Sequence, residues 1–109
     1  MDNNAPSECT FEESLSIAKK HNTKLVWLGR EPAEYISELL GLHEGDIIKA
    51  EPSDFLSSSG EQLKRFENSV LVCYHGNTSM YVAKFLKQKH NITSYSMKGG
   101  VTAITGEIF

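Results

Sequence analysis

The sequence predicts an α/β domain, with a mainly parallel central sheet and helices on both faces. Two segments, "KLVWL" at 24–28 and "SVLVCY" at 69–74, are nearly unbroken apolar runs of strand length, the pattern of strands covered on both faces. Helix-period stretches alternate with strand-like runs along the chain, which favours parallel pairing through crossover helices. At 109 residues the chain is long enough for one domain and too short for two independent cores.

Residues 1–9 are polar and without period, and read as a flexible N-terminal tail, leaving 10–109 as the domain. Thr10 followed by Glu13 is a capping-box pattern, and Phe11, Leu15 and Ala18 share one face, so a helix is expected over 11–20. After the first buried strand, Pro32 suits a helix's first turn, and Ile36, Leu39 and Leu40 form an apolar stripe ending at Gly41. "DIIKA" at 46–50 reads as a short strand. "PSDFLSSSGEQ" at 52–62 reads as a loop with one helical turn, the segment expected to be most mobile, and "EQLKRF" as another turn. Tyr81, Val82, Phe85 and Leu86 mark the buried side of a helix expected over 78–89. "ITSYSM" at 92–97 alternates as a last strand before "KGGVTAI". No internal repeat is visible.

A composition of 39% apolar and 23% charged residues is that of a soluble globular protein. No stretch approaches the roughly 20 apolar residues that span a bilayer. "MDNNAPSEC" lacks the basic start and apolar core of a signal peptide, so the expected location is the cytoplasm, with no membrane partner. The net charge is −3 and the basic residues are scattered, which argues against a nucleic-acid partner. Two cysteines, Cys9 and Cys73, are too few for a disulfide-stapled scaffold and suit a reducing compartment. Without a Cys-x-x-Cys pair, a thioredoxin-like dithiol is not expected.

In open parallel sheets the ligand site lies beyond the carboxyl ends of the strands, and "CYHGNTS" at 73–79 stands at that edge. Gly76 permits a positive φ and Asn77 tolerates one, so the backbone N–H groups after Cys73 can turn inward as an anion-binding nest. A helix beginning near Thr78 adds its unpaired N–H groups, and Thr78 or Ser79 can cap it or donate a hydroxyl. A helix dipole contributes roughly 0.3 to 2 kcal/mol, at best about one and a half pKa units for a thiol, so several converging amides are needed for strong activation. Cysteine at the end of an apolar strand more often fills a core than attacks a substrate. The Gly-Asn-Thr-Ser sequel favours a nucleophile. Cysteine phosphatases hold a phosphoryl group with a Cys-x5-Arg loop, whose guanidinium matches the phosphoryl oxygens. Here the sixth residue after Cys73 is Ser79, which suits a smaller, less charged cargo such as one sulfur atom.

"CYHGNTS" resembles the active-site loop of rhodanese-family sulfurtransferases, in particular the bacterial single-domain thiosulfate sulfurtransferases. "LVWLGREPAEY" resembles that family's first-strand segment, "GLHEGDIIKAEP" its Gly-His-Ile-x-Gly-Ala stretch, and "MKGGVTAI" its closing glycine pair; together they span about residues 10 to 106. The resemblance implies a rhodanese-like fold in which Cys73 accepts a sulfane sulfur as a persulfide. It further implies that the amides from Tyr74 through His75, Gly76, Asn77 and Thr78 to Ser79 stabilise that persulfide. A thiol or cyanide acceptor, including a protein thiol, then removes the sulfur in a two-step covalent cycle. Thiosulfate is the implied small anionic donor, and no metal or organic cofactor is implied. The chain departs from the pattern at Leu28, where the family has aspartate, at Tyr74, where many members have arginine, and at Ile104, where an aromatic is usual.

Among the remaining residues, His75 can touch substrate or face solvent, and Cys-x-His alone is a poor zinc signal. Lys98 before the glycine pair can lend positive charge to the site or sit in a solvated turn. His43 matches a structural position of the family. Arg30 and Glu34 suit an i, i+4 ion pair. Cys9 is a spare thiol, or resolves a persulfide if the tail reaches the site. The expected function is a thiosulfate sulfurtransferase. The alternatives are a sulfur-carrier or protein-interaction module of the same fold and, against the missing arginine, a cysteine phosphatase.

Overall fold

The computed structural model describes residues 7–106. Five strands, β1 (Ser7–Cys9), β2 (Leu25–Trp27), β3 (Ile47–Lys49), β4 (Ser69–Val72) and β5 (Ser94–Met97), form one sheet in the order β1-β5-β4-β2-β3. Every pairing is parallel. Helices cover both faces, because a crossover between parallel strands must pass over one face or the other.

The apolar runs of β2 and β4 are explained by the two cores they separate. Val26, Leu28, Leu71 and Cys73 face one side, where they pack with Phe55, Leu63, Val82, Ala83 and Leu86. Leu25, Trp27, Val70 and Val72 face the other, with Ile36, Leu40 and Met97. Phe55 lies on α3 (Pro52–Ser57), Leu63 on the single turn α4 (Gly60–Leu63), and Val82, Ala83 and Leu86 on α5 (Asn77–His90). The second face is covered by α1 (Phe11–His21) and α2 (Ala33–Leu39). A last turn, α6 (Thr102–Thr105), closes the described chain.

The capping box at Thr10 is formed as expected: Glu13 N–H donates to Thr10 Oγ1 at 3.1 Å, and Thr10 N–H to Glu13 Oε1 at 2.9 Å. Several other expectations are corrected. The tail was expected to run through residue 9, but Ser7–Cys9 adds an edge strand to β5, with Cys9 opposite Met97 and its thiol in the second core. Three residues are too few to carry a period, so only the pairing reveals this strand. Residues 1–6 lie outside the described residues. Segment 52–62 holds two helices, anchored in the first core by Phe55, where a loop with one turn was expected. On α1 the fully buried residue is Ser14, while Leu15 is exposed. On α5 the buried residues are Ser79, Val82, Ala83 and Leu86, spaced i, i+3, i+4, i+7; Tyr81, expected on the buried side, is 59% exposed. Arg30 precedes α2, so it does not share a helix with Glu34.

Candidate active site

β4 ends at Val72, and Cys73 is the first residue beyond the sheet. Its carbonyl accepts from Val101 N–H at 3.0 Å, and the next carbonyl, of Tyr74, accepts from Thr102 N–H at 3.2 Å. The chain after β5 thus grips the start of the loop. Gly100, at φ +65°, makes the grip possible, since a Cβ there would overlap the Cys73 and Tyr74 carbonyls. The chain then reverses at Gly76, which has φ +93° and is the N-cap of α5 without any side-chain cap bond. Gly76 alone in the loop has positive φ, and Asn77 is already helical, so the helix starts one residue earlier than expected. Neither Thr78 nor Ser79 caps it.

The turn places Cys73 Sγ over the first turn of α5. Gly76 N–H donates to Sγ at 3.1 Å and Ser79 N–H at 3.3 Å. Of the amides from 74 to 79, these two reach the sulfur. The thiol donates to Ser79 Oγ at 3.3 Å. The sulfur is buried, with Cys73 3% exposed, and beside the Ser79 hydroxyl the residue packs in an apolar cluster. Ser79 is also fully buried, and its hydroxyl contacts Ser96 Oγ at 2.6 Å and donates to the Gly76 carbonyl at 3.3 Å.

The two residues after Cys73 are tied outward, away from the sulfur. The Tyr74 hydroxyl donates to Glu31 Oε1 at 2.6 Å and accepts from Arg30 N–H at 2.7 Å. Its ring stacks edge-on against Trp27 with centroids 5.1 Å apart. Burial of the phenol, with the Glu31 carboxylate beside it, pushes its pKa above the ordinary tyrosine value. His75 is exposed, and its Nδ1 lies 3.2 Å from Thr102 Oγ1. Asn77 and Thr78 are exposed on the first turn of α5. Lys98 is exposed and contributes its amide to the Cys9 carbonyl at 2.8 Å, tying β1 to the end of β5. Leu28, in place of the resemblance's aspartate, is buried in the same apolar cluster as Cys73.

The strand-to-helix turn at Cys73 was legible in the sequence, and what supports it was not. Glu31, Thr102 and Ser96 carried no signal, because each matters only through a partner that the fold brings close. Cys9 is the second free thiol and is buried on β1. Burial, with Glu13 and Glu8 nearby, pushes its pKa up to about 11. No protein-family model matches this chain, and no curated protein matches it.

Proposed function

We propose that the chain is a cytoplasmic sulfurtransferase of rhodanese type, which moves one sulfane sulfur through Cys73. The observation that carries this reading is the pair of amides, Gly76 and Ser79, aimed at the Cys73 sulfur from the N-terminal turn of α5, at the carboxyl edge of the parallel sheet. Amides donating to sulfur favour the thiolate over the thiol, and the N-terminal end of a 14-residue helix adds to the same effect. The loop offers no guanidinium to a phosphoryl group, so a sulfur cargo fits better than phosphate.

In the loading step the Cys73 thiolate attacks the outer sulfur of thiosulfate. The new S–S bond forms as the bond within thiosulfate breaks, and sulfite leaves with the electron pair. The persulfide carries the negative charge of the thiolate it replaces. In the discharge step an acceptor such as cyanide or a thiolate attacks the terminal sulfur, and the electron pair of the broken S–S bond returns to Cys73 Sγ. With cyanide the product is thiocyanate. Each half restores what the other consumes, so no redox partner is needed.

Burial of the sulfur favours a second reading: a carrier of the same fold that loads and hands sulfur to a protein thiol, with slow turnover on small molecules. Both are tested by incubating the protein with thiosulfate, weighing it intact, and assaying thiocyanate after adding cyanide, with Cys73→Ser as control. The enzyme predicts one added sulfur and turnover, both lost in the variant. A carrier shows the added sulfur without turnover, and neither signal would defeat both readings.

A further inference from the structure

We infer that Ser96, on β5, is a positioning residue that acts on the Cys73 thiol through the Ser79 hydroxyl. The inference rests on the reading of Cys73 as the sulfur-bearing nucleophile and extends it to a residue outside the loop. The register puts Ser96 opposite Leu71, on the sheet face that carries Cys73. Its hydroxyl lies 2.6 Å from Ser79 Oγ and donates to the Gly76 carbonyl at 3.5 Å. Both serines are 0% exposed, so no solvent stands in for either partner.

The protons available decide what this pair does. Ser79 has one hydroxyl proton and three neighbours for it: Ser96 Oγ at 2.6 Å, the Gly76 carbonyl at 3.3 Å and Cys73 Sγ at 3.3 Å. While Cys73 is a thiol, its S–H donates to Ser79 Oγ, and Ser79 donates onward to Ser96 or Gly76. Once Cys73 is a thiolate it has no proton to give, and the contact stays favourable only if Ser79 turns its proton to the sulfur. Ser96 then donates to the vacated Ser79 oxygen. The hydroxyl chain reverses, and Ser96 strengthens the third hydrogen bond to the thiolate, beside the two amides. Cys73 bears a thiolate both when it attacks the donor and when it leaves at discharge, so Ser96 serves both halves of the cycle.

Ser94 provides an internal contrast. It lies two residues earlier on the same face of β5, is also buried at 3% exposed, and its hydroxyl has no partner. A buried serine on β5 is therefore not held in a hydroxyl contact merely by being there. The charged and titratable groups around the site are engaged elsewhere or face water. Tyr74 engages Glu31, His75 engages Thr102, and Glu8 on β1, Arg30 after β2, Asp54 on α3, Lys84 on α5 and Lys98 after β5 are exposed.

The test is the pH profile of Cys73 alkylation by iodoacetamide, read at the peptide level so that Cys9 does not contribute. In Ser96→Ala the midpoint is expected to rise by about half a unit to one unit, the scale of one neutral hydrogen bond, slowing alkylation near neutral pH roughly three- to tenfold. Ser79→Ala raises it further, by about one to two units, since it removes a hydrogen bond to a charged group. In the Ser79→Ala background, Ser96→Ala adds nothing. Ser96→Thr keeps the wild-type midpoint, as does Ser94→Ala. Discharge of the loaded protein by cyanide slows in Ser96→Ala, because the leaving thiolate is poorer. Ser96→Gly removes the same hydroxyl and gives the same reading if the alanine variant does not fold.

A Ser96→Ala profile that superimposes on the wild type overturns the inference, and so does a shift that persists in full without the Ser79 hydroxyl. Sulfur uptake by the wild type is scored separately. Uptake with unshifted variants sinks only the role of Ser96, whereas absent uptake sinks the sulfur chemistry, and a shifted midpoint would then still place Ser96 behind the thiol.

Discussion

The two cysteines of this chain are buried to the same degree, 4% exposed for Cys9 and 3% for Cys73, yet their surroundings oppose each other. Both stand at the carboxyl ends of parallel strands, on either side of β5. Cys9 lies among apolar side chains with Glu8 and Glu13 nearby, and everything around it disfavours a negative sulfur. Cys73 accepts from two backbone N–H groups, and its thiol donates to a buried serine hydroxyl. Equal burial thus goes with different surroundings. The two sulfurs differ in the orientation of the nearest dipoles, which at Cys73 comes from one glycine with φ +93° and the helix that follows it.

The largest expected difference between the two thiols is in alkylation. With its pKa pushed up to about 11, Cys9 is roughly a thousandth ionised near pH 8, and burial slows its reaction further. Native protein treated with iodoacetamide at that pH should gain one adduct, on Cys73, and a second only after denaturation. If both sites label at similar rates, or if Cys9 labels first, the contrast fails.

A second test reads Cys9 through stability. In the folded protein its proton is held to higher pH than the ordinary value of 9.0, while the unfolded chain releases it near that value. Between about pH 9 and 11 the folded state binds the extra proton, so stability falls as pH rises through that window. Its contribution is intact below the window. The loss attributable to this thiol is on the order of 2 kcal/mol. Urea unfolding of wild type and Cys9→Ala at pH 8 and pH 10.5 isolates it, because lysines and tyrosines titrate in both. The gap between the two proteins should narrow toward the higher pH, and a constant gap would show that Cys9 does not hold its proton in the fold.

The same contrast explains what was legible in the sequence. The Cys73 loop is local: a strand end, a glycine and a helix start lie within seven residues, and each announces itself through residue type. The alternation of strands and helices was legible for the same reason, since an apolar run such as that at 24–28 carries its own two-faced burial. The surroundings of Cys9 are non-local, because β1 exists only through its pairing with β5, more than eighty positions away. The burial of Ser79 and of Ser96 escaped because a pattern read from apolar residues counts serine as solvent-facing. That is why Tyr81, and not Ser79, was expected on the buried side of α5. The brace on Tyr74 was hidden likewise, since Glu31 lies 43 positions upstream.

That brace sets the smallest of the expected effects, and it bears on how the loop keeps the two thiols different. Tyr74→Phe keeps the edge-on contact with Trp27 and removes the hydroxyl that joins Glu31 to the Arg30 amide. Arg30 is exposed, so water can replace part of what is lost, and the cost should be about 1 kcal/mol of unfolding free energy. If Tyr74 acts only as a strut, alkylation of Cys73 and its loading by thiosulfate should stay within about twofold of wild type, because the Gly76 and Ser79 amides are held by the turn and by α5. A much larger fall in thiosulfate loading at unchanged alkylation would instead place the phenol in contact with the donor. A parallel fall in both would mean that the Glu31 tie sets the angle of the loop, and that the amides reach the sulfur only while the strand end is braced from outside.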